Sequence, residues 1–207
     1  MTAAAGRIPT PGPRRIRDRA WFDRPSAEVA PDLLGRVLVH DGPQGRVAGR
    51  IVEVEAYQGP EDLAAHSSRG RTPRNAVMFG PAGHLYVYLV YGLHHCANVV
   101  CGPGDKPEAV LLRAAEVTDG LALARQRRGP VPDERLAAGP GNLGAAFGFD
   151  RRHNGLDLLH GPAWIADGPR PLAAIERSPR IGVAYAGSWA AEPLRFSIAN
   201  DPYRSGR

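Results

Sequence analysis

Alternating apolar and polar positions, interrupted by glycine and proline, predict a chain of short elements. Ser26 stands where a helix cap would, and the run to Gly35 predicts a short helix in which Pro31 marks a kink or a late start. Arg36 to His40 reads as a strand, Asp41 to Gln44 as a turn, and Val47 to Tyr57 as the next strand, ended by Gly59-Pro60. Glu61-Asp62 open a helical turn into His66, Ser67 to Thr72 form a polar loop, and Pro73 starts a brief helix through Phe79. After a turn at Gly80–Gly83, His84 to Tyr91 and Leu93 to Cys101 read as two strands bending at Gly92. Ala109 to Val117 is the strand after the Gly102-Pro-Gly104 turn.

Asp119 to Arg127 predicts a helix with arginines near its C-terminal end, where the helix dipole favours cations. Asp133 to Phe147 reads as two short helices interrupted by Gly139-Pro-Gly141. Three late strands follow: Ala163 to Ala166, Gly182 to Ala186 and Leu194 to Ala199. Strands dominate and do not alternate strictly with helices, so the fold class expected is α+β with a largely antiparallel sheet. A length of 207 residues suits one domain with a real core.

Composition narrows the function classes. No apolar run approaches the roughly 18 residues needed to span a bilayer, and no apolar core follows the first basic residues as a secretory signal would require. The net charge is +5, and residues 1–20 hold five arginines against Asp18, so they carry +4 of it. They are also rich in proline and glycine, and the expectation is a disordered Arg-rich arm ahead of a domain over residues 21–204. Such an arm suits phosphate contact; it also fits a solvated tail or, less well given its prolines, a transit peptide. Lys106 is the only lysine among 26 basic residues, and it lies in a turn where its amine stays wet and protonated. Two cysteines, Cys96 and Cys101, do not make a disulfide framework. Their spacing beside His94 and His95 is not that of a zinc site, so no metal is expected.

The chemistry concentrates between Ile51 and Asn98. Glu53, Glu55 and Tyr57 share one face of a strand because side chains alternate. Read alone, they are the solvated face of an edge strand; the strand's abrupt end after Tyr57 favours a catalytic reading, since loops and strand ends hold functional groups. Tyr86 and Tyr88 share a face, while Tyr91 falls opposite at the bend. Core packing accounts for Tyr86; an aromatic at a hairpin tip is a candidate wedge between base pairs.

The string Glu55-Ala-Tyr57-x-Gly-Pro60-Glu-Asp62-x-Ala-Ala-His66 is followed by Gly70-x-Thr-x-Arg74-Asn75-x-x-Met78-Phe79 and Tyr86-Val-Tyr88-x-x-Tyr91-Gly92. Cys96-x-Asn98, Ala109-Val-Leu-Leu-Arg113-Ala, Gly139-Pro140-Gly141-x-Leu143, Arg180-x-Gly-Val183, Gly187-x-Trp189 and Pro193-Leu-Arg195-Phe196 come after in order. Together they closely resemble the alkyladenine (3-methyladenine) DNA glycosylase family of the vertebrate type, over about residues 21 to 200.

The resemblance implies a single domain with a curved antiparallel sheet, short helices and a protruding hairpin that enters DNA. It implies a monofunctional, cofactor-free enzyme that flips alkylated or deaminated purines out of duplex DNA and hydrolyses the N-glycosidic bond. Glu55 is then the general base holding the attacking water, positioned with Arg113 and the backbone carbonyl of Ile181. Tyr57 and Tyr88 sandwich the flipped base, with His66 stacking alongside and donating to its edge. Asn98 crowds a purine 2-amino group, and Tyr91, Leu93 and His94 occupy the gap in the duplex. A monomer in the cytoplasm, acting on double-stranded DNA, completes the expectation. Two alternatives remain: an inactive nucleic-acid-binding protein of the same fold, and a metal-dependent hydrolase using His66, His94, His95 and Cys96.

Overall fold

The computed structural model describes residues 14–168, 171 and 173–206. It is an α+β domain built on one eight-stranded antiparallel sheet. The strands are β1 (Val37–Gly42), β2 (Gly45–Tyr57), β3 (Leu85–Val90), β4 (His94–Cys101), β5 (Glu108–Asp119), β6 (Ala163–Ala166), β7 (Ile175–Ser178) and β8 (Arg195–Ile198). The order across the sheet is β3-β4-β5-β2-β1-β6, with β8 pairing to β2 and β7. β2 and β5 are the long central strands. The first half of β2 pairs with β1, and Glu53–Glu55 pair instead with β8. β-bulges between Ile51 and Val54 accompany this change of partner.

This placement overturns the edge-strand reading of Glu53 and Glu55. β2 lies inside the sheet, and every residue from Ile51 to Ala56 is buried. One face packs into the main core with Phe22, Leu33, Phe147 and Phe196; the other holds the polar groups described below.

Three helices, α1 (Ser26–Leu33), α2 (Leu121–Arg128) and α3 (Pro140–Phe147), pack on the sheet. Ser26 is not the cap of α1; it is the first helical residue after Pro25. The buried carboxylate of Glu108 accepts from the Ser26 amide and hydroxyl, both at 2.7 Å, so the positive helix start is satisfied from β5. Pro31 does not break the helix. Proline at the start of α3 costs no hydrogen bond, and Gly148 (φ 75°) ends that helix in the left-handed region. α3 lies so close to β4 that a Cβ at Gly144 would stand 2.0 Å from the His95 carbonyl oxygen.

Two other expectations fail. Gly182–Ala186 is not a strand: Gly182 and Gly187 take positive φ, and a 3-10 segment runs from Ala184 to Ala190. β7 carries no apolar run, and sequence pattern misses it. The boundary of the N-terminal arm also moves. Residues 14–20 are packed: Ile16 is buried and its amide bonds the Ile165 carbonyl, Arg15 binds the carbonyls of Leu159 and Gly161, and Arg19 pairs with Asp157. Residues 1–13 of the arm lie outside the described residues.

Candidate active site

β2, β3, β4, β5 and the loop after β7 together enclose a cavity of about 610 Å³. Tyr57 stands at the end of β2, Tyr86 and Tyr88 on β3, Asn98 on β4 and Arg113 on β5, all on its walls. His66 comes from the first residue of a 3-10 turn that packs against β3. Its ring lies 4.5 Å from that of Tyr88, edge to face, and its Nδ1 is 2.9 Å from the Tyr86 hydroxyl. The Asn98 amide donates to the Tyr86 carbonyl at 3.1 Å.

Glu55 is buried just behind this space, against its lining residues Tyr57, Arg113 and Ile181. The Ile181 amide donates to its Oε1 at 2.8 Å, the Arg113 Nη1 lies 3.1 Å from the same oxygen, and the Tyr57 hydroxyl donates to Oε2 at 3.0 Å. The Ile181 carbonyl was expected to help position the attacking water; the contact seen here is a different one, from the Ile181 N–H to Glu55. Burial pulls the Arg113 guanidinium down, and Glu55 with Glu53 more than offsets it, so the group is held above its ordinary value. Burial, with Glu55 next, pushes the Tyr57 phenol well up, so it remains a donor.

Burial holds the His66 imidazole down at about 4, with Arg74 adding to the effect, so the ring is neutral near pH 7. Burial likewise raises Tyr86 to about 12 and the Cys96 thiol to about 11. The walls therefore present neutral aromatic, imidazole and thiol groups together with the guanidiniums of Arg113 and Arg74.

At the mouth, residues 91–93 join β3 to β4. Tyr91 takes a φ of 51°, uncommon for a residue with a side chain, and is 90% exposed; Leu93 is 78% exposed. Strand alternation put Tyr91 opposite the other tyrosines, but the turn carries it to the rim of the same cavity. His94 is exposed at the start of β4, and Gly141 of α3 leaves room for its ring.

Sequence reasoning missed how these groups are backed. The Arg180 guanidinium lies 4.7 Å from the Tyr57 ring and is buried against Asp62, whose Oδ1 accepts from Nη2 at 2.8 Å. Arg74 lies 5.3 Å from the Tyr88 ring. Both arginines sit in the quoted motifs, but nothing there says which ring they meet. Tyr185, 66% exposed, also lines the mouth, and only its aromatic character could have marked it. Lys106 pairs with Glu108 at 3.2 Å and Glu61 at 3.4 Å and is not a wall of the cavity. Among the described residues, no three or more His, Cys, Asp or Glu side chains are grouped as a metal would need.

The model of the methylpurine-DNA glycosylase family matches residues 20–202 of this chain. The chain belongs to that family. A relative from Streptomyces avermitilis is 47% identical over 98% of this chain and 93% of its own length. One from Corynebacterium glutamicum is 48% identical over 90% and 95%, and one from Methanocella arvoryzae 47% identical over 93% and 96%. Each carries the name 3-methyladenine DNA glycosylase as a provisional assignment. These relatives are bacterial and archaeal, and they give no support to the vertebrate type in particular. As a methylpurine-DNA glycosylase, the chain is a hydrolase acting on DNA, and an inactive binding protein is not favoured.

Proposed function

We propose that this glycosylase releases alkylated or deaminated purines from duplex DNA by flipping the damaged nucleotide into the cavity between Tyr57 and Tyr88. The observation that carries the reading is the setting of Glu55: a buried carboxylate held by Arg113, the Ile181 amide and Tyr57 behind an aromatic chamber of about 610 Å³. Extrusion costs a few kcal/mol, which stacking on tyrosines and the insertion of Tyr91, with Leu93 and His94, into the vacated space offset. A purine methylated at N3 or N7 is cationic, stacks well on an electron-rich ring and is a good leaving group. Glu55 then needs only to hold and deprotonate one water while the sugar gains oxocarbenium character. Arg113 and the Ile181 backbone fix the carboxylate that holds that water, and the Ile181 carbonyl would complete its placement. Neutral His66, with Nδ1 accepting from Tyr86, can offer Nε2–H to the base edge, and Asn98 narrows the space beside the purine 2-position.

The reaction uses no covalent enzyme intermediate. Burial acts against the charge of Lys106, but Glu108 and Glu61 outweigh it and hold the amine protonated. The enzyme acts as a monomer, and in a bacterial or archaeal host its chromosomal substrate lies in the cytoplasm. The test is incubation with duplexes each carrying one of 3-methyladenine, 7-methylguanine, hypoxanthine or an etheno-adduct, then alkali to cut abasic sites. Release of at least one of them, with an intact strand before alkali, is expected; no release from any would refute the reading.

A further inference from the structure

We infer that Glu53 and Ser205 are positioning residues of the excision centre, which makes the tail beyond β8 part of the active site. This rests on the glycosylase reading and goes beyond the residues it uses. Neither Glu53 nor Ser205 lines the cavity, and Ser205 lies outside the residue 20–202 span of the family match.

The geometry is a closed triangle. Arg113 Nε donates to Glu53 Oε1 at 2.9 Å, Arg113 Nη2 donates to Ser205 Oγ at 3.1 Å, and Ser205 Oγ lies 3.0 Å from Glu53 Oε1. The single hydroxyl proton suits this arrangement, because Oγ accepts from the guanidinium and donates to the carboxylate. The Ser205 amide adds a bond of 2.6 Å to Glu53 Oε2. A guanidinium is a rigid planar fork, so fixing Nε and Nη2 fixes where Nη1 points. It points at Glu55. Glu53 and Glu55 thus compete for one buried cation, and the donors of Ser205, with Arg195 at 3.4 Å, meet part of the demand of Glu53.

The tail is held for this task. Asp201 is buried and accepts from Arg50 at 2.8 Å, and Arg204 pairs with Glu176. A Cβ at Gly206 would stand 3.4 Å from Ile181 Cδ1, so the same tail also backs the residue whose amide binds Glu55. The charged and titratable groups that act with Glu55 are Arg113, Tyr57, Tyr88, Cys96 and Arg180; those at Glu53 are Arg113 and Arg195.

The test uses the full chain with Ser205→Ala, Ser205→Thr and Glu53→Gln. Single-turnover release at saturating enzyme, duplex affinity, thermal midpoint and the pH–rate profile are read for each. Ser205→Ala is expected to slow release about tenfold with affinity unchanged, since a small misplacement of a catalytic group costs up to about a hundredfold. Ser205→Thr keeps the hydroxyl and should recover most of the rate. Glu53→Gln removes the competing anion, so the acid limb of its profile should move to lower pH by about 0.5–1 unit. Parental rates and an unshifted profile in these variants, beside an active parent, would overturn this inference alone. Equal losses in Ser205→Ala and Ser205→Thr, matched by lost affinity and lost thermal stability, would reduce the tail to a structural pin. An inactive parent would overturn the glycosylase reading and this inference with it.

Discussion

Replacing Glu55 by glutamine separates the chemistry of the site from its shape. The glutamine oxygen can stand where Oε1 stands and keep the bonds from the Ile181 amide and Arg113. Its nitrogen falls at the Oε2 position, where the Tyr57 hydroxyl can turn from donor to acceptor. Arg113 retains Glu53 as its counter-ion. The loss of folding stability should therefore be about 1–2 kcal/mol, the scale of one altered charged hydrogen bond. Glu55→Ala, by contrast, strands three buried donors. Catalysis responds quite differently, because an amide does not take a proton from water. Loss of a general base slows release about 10²–10⁴-fold, which raises the barrier by about 3–5 kcal/mol. The assay is single-turnover release from a lesion duplex with enzyme in excess, scored by alkali cleavage, beside anisotropy measurements of duplex affinity. Unchanged affinity with release slowed at least a hundredfold is expected. Release at the parental rate would show that Glu55 is not the base.

Asn98→Ser should relax discrimination against undamaged guanine, since a lost crowding contact is worth roughly 1–3 kcal/mol; an unchanged ratio of guanine to hypoxanthine release would remove Asn98 from the specificity argument. Lys106→Ala should leave excision within about twofold, and borohydride should trap no adduct with the parent; a covalent complex through Lys106 would contradict hydrolysis by water alone. For His66, folding lowers the imidazole from 6.5 to about 4. The unfolded chain then takes up a proton that the folded one refuses, so stability is present above pH 6.5 and is lost as pH falls toward about 4. The loss is on the order of 3 kcal/mol. Denaturant titrations across that window should show the slope in the parent and a flatter one in His66→Gln; equal slopes would place it elsewhere.

The identity of the protein was legible in its motifs, and so were most elements whose pattern is local. The predicted Ala163–Ala166 strand appears with those bounds, and β2, β5 and α2 appear within a few residues of theirs. Tyr57, His66, Tyr88, Asn98, Arg113 and Ile181 were named from sequence and line one cavity, with Glu55 bound just behind it.

Only the tertiary structure decided the rest, and for all but one segment the deciding contact comes from far along the chain. Ser26 looked like a cap because the preference of serine for helix starts is local, yet Glu108 does the capping from 82 residues away. Glu53 and Glu55 looked like one wet face because alternation cannot tell an edge strand from a central one; β5 and β8 bury them. Gly182–Ala186 fitted a strand until backbone conformation intervened, with positive φ at Gly182 and Gly187. Ser205 gave no signal at all, since serine near a chain end is ordinary. Its place beside Arg113, 92 positions earlier, depends on the intervening chain folding so that the tail returns to β5. Periodicity and motif order report what neighbouring residues share, whereas capping, burial of charge and the orientation of Arg113 are set by groups that meet only when the sheet has formed.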